Sequence, residues 1–310
     1  GLCDGSYLIN WDAFQAANPT ALGNPWIAGD KVFVQALYRD PLAVTSSNLS
    51  NALELTLRNP PPLPCVTPLT GMVAIQSGTF LMGSNEAFAP PYYNGSAQQP
   101  VHQVTLSYCF WMGATEVTQA QYSSLMGSNP SSFAGANNPV ERVTWFNAQA
   151  YCAALTAQQA ALGNVPAGYQ FRLPTEAEWE YACRAGTTTE YNVGAVLFCN
   201  QARFTYSYHS SSVCGSSSHL PVASYAPNAW GLYDMHGNVS EWILDSYSSY
   251  SAGAVTDPFV TGGAYRIFRG GSFGSSSDDC RSAFRLGRNL PSSSHLAIGF
   301  RVVLAPILVP

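Results

Sequence analysis

At 310 residues with 46% hydrophobic content, the chain exceeds one average domain and holds enough apolar material for a real core, which excludes disorder. Charged residues are only 10%, the net charge is −5 and Lys31 is the single lysine, so no basic surface exists to hold phosphates; nucleic acid and anionic membrane are excluded as partners. No apolar run of about 18 residues occurs, so no helical membrane span is expected.

In chain order, Tyr7–Trp11, Val32–Tyr38 and Leu53–Arg58 alternate apolar and polar residues with the period of half-buried strands. They predict a small, sandwich-like β module over residues 1–66. The module ends in Asn59-Pro60-Pro61-Pro62-Leu63-Pro64-Cys65, a linker whose prolines lack donors and fix φ. So few strands leave an open edge, and the apolar terminus Gly1–Trp11 is able to add a strand to a neighbouring copy. Self-association through this module, propagating as a filament, is the expected partner interaction.

From Gly71 onward, over a second domain expected at 67–310, short strands, few helices and long loops follow. Thr118 with Gln121 forms a capping box before a helix stopped by Gly127, and Thr175 with Glu178 forms another after Pro174. A third helix starts at Thr144 and places Trp145, Ala148, Cys152 and Leu155 on one face. Ile267–Arg269 and Gly299–Leu304 read as strands.

The eight cysteines, Cys3, Cys65, Cys109, Cys152, Cys183, Cys199, Cys214 and Cys280, include no C-x-x-C pair with zinc spacing. Four disulfides are expected, among them Cys3–Cys65 and Cys199–Cys214, with three connectivities open for the other four. The chain begins at Gly1, as a mature chain does after removal of a secretion signal; an extracellular or cell-surface location is the matching expectation. Asn48, Asn94 and Asn238 each open an acceptor pattern for N-linked sugar.

Several motifs then follow one another: Gly78-Thr79-Phe80-Leu81-Met82-Gly83-Ser84, Glu116-Val117-Thr118, Arg172-Leu173-Pro174-Thr175-Glu176-Ala177-Glu178-Trp179, Gly237-Asn238-Val239-Ser240-Glu241-Trp242, Arg269-Gly270-Gly271-Ser272 and Gly299-Phe300-Arg301-Val302-Val303. In this order they resemble the formylglycine-generating enzyme (sulfatase-modifying factor) family over about residues 70 to 305. The resemblance implies an α+β, C-type-lectin-like fold with few short helices and much irregular structure. The arginines and glutamates gathered in these motifs are expected to pair and pin loops rather than to catalyse.

Catalysis in the resembled family uses two cysteines with four residues between them that hold Cu(I) as soft thiolates. The matching positions here are Ser275 and Cys280, and a serine hydroxyl is a poor Cu(I) ligand, so no copper and no oxidase chemistry are expected. Cys280 is instead expected to pair with a neighbour such as Cys183. Gly270-Gly271-Ser272-Phe273-Gly274 fits G-x-S-x-G, but no helix-forming run follows it, which excludes a nucleophile elbow.

The resemblance also implies calcium, held by Asn238, Val239 and Glu241 as hard oxygen ligands. The stretch Phe273–Ala297 lies where relatives of this fold carry a hypervariable ligand loop, and it contains no Lys, Gln, Glu, Met or Trp, the residues that adenine mutagenesis of an AAY codon never yields. Its candidate contact residues are Phe273, Ser276, Asp278, Asp279, Phe284, Arg288 and His295, toward a glycan or protein ligand. The expected function is a catalytically inactive bacterial surface protein with a structural, assembly or adhesive role. The alternatives are a formylglycine-generating oxidoreductase and a ligand-binding protein with a variable loop.

Overall fold

The computed structural model describes residues 69–85, 95–207, 212–215 and 217–308, together with four strands nearer the N-terminus. The chain divides into two compact units, Gly1–Leu63 and Pro64–Pro310.

In the first unit β1 (Lys31–Val34), β2 (Leu37–Arg39), β3 (Ser47–Leu49) and β4 (Leu53–Thr56) are described. β1 pairs antiparallel with β4, and β2 with β3. The alternation across Val32–Tyr38 therefore belongs to two strands with different partners, since periodicity marks which face a residue takes and not where pairing changes. The expected strand at Tyr7–Trp11, and Cys3 and Cys65, lie outside the described residues.

The second unit opens with β5 (Met72–Ile75), β6 (Gly78–Met82), β7 (His102–Leu106) and β8 (Phe110–Gly113). Then come α1 (Gln119–Met126), α2 (Trp145–Ala161), β9 (Tyr169–Arg172) and α3 (Glu176–Arg184). The rest is strand and loop: β10 (Tyr206–Ser207), β11 (Ser212–Val213), β12 (Ser240–Ser246), β13 (Val255–Thr256), β14 (Arg266–Arg269), β15 (Leu286–Asn289), β16 (Ile298–Gly299) and β17 (Val303–Pro306).

Each helix starts where its cap demands. Thr118, Thr144 and Thr175 are extended N-caps whose hydroxyls accept from the third helical N–H, while Gln121, Asn147 and Glu178 reach back to the cap. Gly127 ends α1 at φ 73°, a left-handed conformation that costs glycine least.

An antiparallel sheet of order β5-β8-β17-β9 stands at the centre. Along β17, Val303 joins a core with Ile75, Phe110, Met112 and Trp179, while Leu304 joins a second with Tyr151, Phe171, Trp242 and Phe300. That two-residue period makes the sheet a shared wall. A second sheet, β15-β14-β12-β16, carries the loops that matter below.

The expected single strand Gly299–Leu304 is split between these two sheets. Arg301 is the reason: fully buried, its guanidinium donates to Glu241 and to the carbonyls of Gly113, Ala114 and Tyr233, which turns the backbone out of one sheet before it enters the next.

Candidate functional site

α3 places three carboxylates in the interior, Glu176, Glu178 and Glu180. Glu178 receives both terminal nitrogens of Arg172 at 2.7 Å, the Thr175 N–H and the Tyr108 hydroxyl. Burial alone would raise its pKa, but Arg172 and these donors hold the carboxyl below the ordinary range. Glu180 is likewise held low: Arg184 and Arg269 outweigh its desolvation. Arg285 grips Glu176 at 2.6 and 2.8 Å.

These pairs reach outward to the loop after β14. Arg269 donates to the carbonyls of Ser282, Ala283 and Phe284, and Arg285 to that of Ala97. The expected scaffold of paired charges is therefore present, and it fixes the stretch 270–285. His236 adds another tether. Its Nδ1 lies 2.7 Å from the Cys280 carbonyl, and Nε2 accepts the Asn192 N–H at 3.0 Å. Burial lowers its pKa to about 4, so the ring is neutral.

The loop turns at Gly270 and Gly271, both with positive φ. Gly271 is bare because the Cys280 sulfur and the Asp279 carbonyl occupy the space a Cβ would need. Cys280 is fully buried, and burial, then Asp279, pushes its thiol well above the ordinary range. Ser275 is half-buried: its Oγ accepts the Ser272 N–H at 3.1 Å and lies 3.1 Å from Ser272 Oγ. A pocket of 320 Å³ opens above the loop, lined by Ser272, Ser275, Asp279, Phe284, Asn289 and His295 among others, but not by Cys280.

Of the loop residues expected to meet a ligand, Asp279, Phe284 and His295 line this pocket. Phe273 does not; it is 6% exposed and packs edge-on against Phe133 and His219. Asp278 is buried, and Ser276 turns inward to Asp279 Oδ2. The Arg288 side chain lies outside the described residues. Sequence reasoning missed Asn289, whose position at the end of β15 depends on pairing with β14 and leaves no local signal.

Two disulfide expectations need correction. Cys199–Cys214 is present, with Cα atoms 5.2 Å apart. Cys152, Cys183 and Cys280, however, are free and buried. Cys183 Sγ faces the Met235 carbonyl and the Ser282 hydroxyl rather than Cys280, so the expected Cys183–Cys280 bond does not form. Cys109 is disulfide-bonded, but not to Cys152, which is free.

The ligand set implied for calcium does not fit as expected. Both Glu241 oxygens are taken by Arg301 at 2.7 Å, and one also by the Trp179 indole at 2.8 Å. Asn238 Oδ1 accepts the Leu220 N–H, its amide donates to Glu116, and its own carbonyl accepts the Phe273 N–H. The described residues contain no cluster of three or more His, Cys, Asp or Glu side chains arranged for a metal. Asn238 is also no glycan acceptor, being 2% exposed with both amide atoms engaged. Asn94 and the Asn48 side chain lie outside the described residues.

Beside Asn238, two other carboxyls do meet. Glu116 is fully buried, and its carboxyl shares a hydrogen bond with that of Asp234. Burial, then Asp234, pushes the Glu116 carboxyl well above its usual range, and burial raises Asp234 too. A shared proton or a cation between them relieves the repulsion that Asp234 exerts on Glu116.

Comparison with known proteins gives the same frame. Residues 59–306 match the profile of the sulfatase-modifying factor enzyme 1-like domain. The serine/threonine-protein kinase pkn1 of Chlamydia caviae is 33% identical over 264 residues, 75% of this chain and 37% of that protein. The formylglycine-generating enzyme of Streptomyces coelicolor is 37% identical over 178 residues, 53% of this chain and 52% of the enzyme. The chain spans 37 to 47% of the length of the three kinase-named relatives it matches. Among solved structures, Treponema denticola variable protein 1 superposes with a TM-score of 0.64 at 26% identity, covering 88% of this chain and 99% of that one. PvdO from Pseudomonas aeruginosa does so with 0.57 at 26% identity, covering 75% and 93%.

Proposed function

Because the chain belongs to the sulfatase-modifying factor enzyme 1-like family, with its α+β, C-type-lectin-like fold, we propose that it is a non-catalytic member serving as an extracellular binding protein of the bacterial surface. The observation that carries this reading is the pair of positions matching the family's catalytic cysteines. One holds a serine hydroxyl bonded to Ser272, the other a buried thiol of raised pKa outside the pocket. Two-coordinate thiolate ligation of Cu(I) requires both sulfurs at one accessible point.

What remains at that place is an open pocket of mixed polar and apolar lining on a loop anchored by Arg269, Arg281 and Arg285, the last two through Glu190 and Glu176. A rigid base under a loop of small residues suits recognition of a glycan or protein ligand, with Asp279, Phe284 and His295 making the contacts. The likeness to Treponema denticola variable protein 1 supports this role. Copies associate through the N-terminal β module, which provides the assembly function.

The reading includes one calcium site, moved from Glu241 to Glu116 and Asp234, with Asn238 beside them. The hard oxygens of the facing Glu116 and Asp234 carboxyls suit the ion. The test of the main reading is incubation with Cu(I) and a cysteine-containing sulfatase peptide: no formylglycine product is expected, and turnover would restore the oxidoreductase alternative.

A further inference from the structure

A separate pocket of 400 Å³ lies away from the loop site. Three rings from distant parts of the chain build it. Phe80 comes from β6, Tyr181 from α3 and Trp230 from the loop before β12. Phe80 and Tyr181 have centroids 5.2 Å apart and are tilted by 43°; Tyr181 and Trp230 are 4.9 Å apart and nearly edge-on at 69°. All three pack one side against the core and leave the other half-exposed.

The Tyr181 hydroxyl rests over the bare Cα of Gly78, where any Cβ would collide with it. Neither that hydroxyl nor the Trp230 indole N–H has a hydrogen-bond partner among the described residues, and neither is sealed from solvent. Around the rings stand Gln103, exposed on β7, and Thr188, exposed after α3. The one charged residue in the wall, Arg184, is committed to Glu180 and to the carbonyls of Gly83 and Thr189.

The chemistry of the occupant follows. With no uncommitted charge among its described lining residues, the pocket offers no ion pair to phosphate or carboxylate groups. Aromatic faces take up the apolar C–H face of a compact ring, while an amide, a hydroxyl, a phenol and an indole N–H meet hydroxyls at its rim. Rings tilted against one another form a cup, whereas an extended proline helix packs between parallel aromatic ridges. We propose that Phe80, Tyr181 and Trp230 form a binding site for a neutral pyranose, free or at the end of a glycan.

This site is independent of the loop pocket, so its fate and that of the surface-binding reading are decided separately. Methyl glycosides of glucose, galactose, mannose and N-acetylglucosamine are titrated into the full chain and followed by tryptophan fluorescence. A decaproline peptide serves as competitor class. Saturable binding of at least one glycoside is expected with a dissociation constant on the order of 1 mM. Thr188→Arg, an exposed change that fills the mouth, weakens it at least about tenfold; Trp230→Ala abolishes it, read by calorimetry because the reporting ring is gone, in a chain that still unfolds cooperatively. If Trp230→Ala fails to fold, Thr188→Arg and Gln103→Ala carry the test. Tighter binding to immobilised oligosaccharides than to methyl glycosides identifies a glycan terminus, and equal binding a free sugar. No saturable change with any glycoside, binding that survives Thr188→Arg, or binding of decaproline alone overturns the proposal.

Discussion

Ser275 Oγ lies 3.1 Å from Ser272 Oγ, at the position where the family's oxidase carries a cysteine matched to Cys280. The hydroxyl is part of a serine turn, held by the Ser272 N–H, while the Cys280 sulfur is buried beneath Gly271. The site therefore lacks one sulfur and has buried the other.

Buried thiols predict a specific count. Denatured without reductant, the protein exposes Cys152, Cys183 and Cys280 to a thiol reagent, so at least three groups react. The folded protein reacts far more slowly there, because each sulfur is buried and its pKa is raised. Finding no thiol after denaturation would mean that all eight cysteines are oxidised and the local geometry is wrong.

The Arg301–Glu241 pair predicts a large, non-additive loss. Arg301→Met leaves the Glu241 carboxylate buried beside Trp179 alone and destabilises the domain by about 3 to 5 kcal/mol. Combining it with Glu241→Gln costs clearly less than the sum, since no orphan charge remains. Denaturant unfolding of the two single variants and the double variant measures this; strict additivity would deny the coupling.

His236 gives the pH dependence a direction. The folded state holds its pKa at about 4, below the ordinary 6.5, so it is stable with the ring neutral. That contribution is complete above pH 6.5 and is lost as pH falls toward 4, by about 3 kcal/mol. A His236→Gln variant should lose this part of the acid slope in chemical denaturation between pH 7 and 4; an unchanged slope would assign it elsewhere.

These features differ in how far the sequence reveals them. The capping boxes of Thr118 and Thr175 lie within four residues, and both helices start where those residues indicate. The paired glutamates and arginines were visible as a concentration of charge in a chain nearly without it. The partners were not: Asn238 and Glu116 meet across 122 positions, and Arg301 divides a continuous apolar run because of contacts 60 and 188 positions away. Cysteine pairing failed for the same reason, since an even count says nothing of where each sulfur points.

The carboxyl pair predicts where calcium acts. Added Ca²⁺ raises the melting temperature of the chain by its mass-action contribution, more at pH 8 than at pH 6, because a proton competes for Glu116 and Asp234. Asp234→Asn should abolish that shift. A calcium shift that survives Asp234→Asn would return the site to Glu241.

The most direct measurement is Cu(I) affinity of the reduced, folded protein, titrated against a competing chromogenic chelator, for the natural chain and for Ser275→Cys. The account predicts that the natural chain takes no copper from the chelator and that one added sulfur does not suffice, because Cys280 remains buried under Gly271. One tightly held equivalent of Cu(I) in the natural chain, lost in Cys280→Ala, would contradict it.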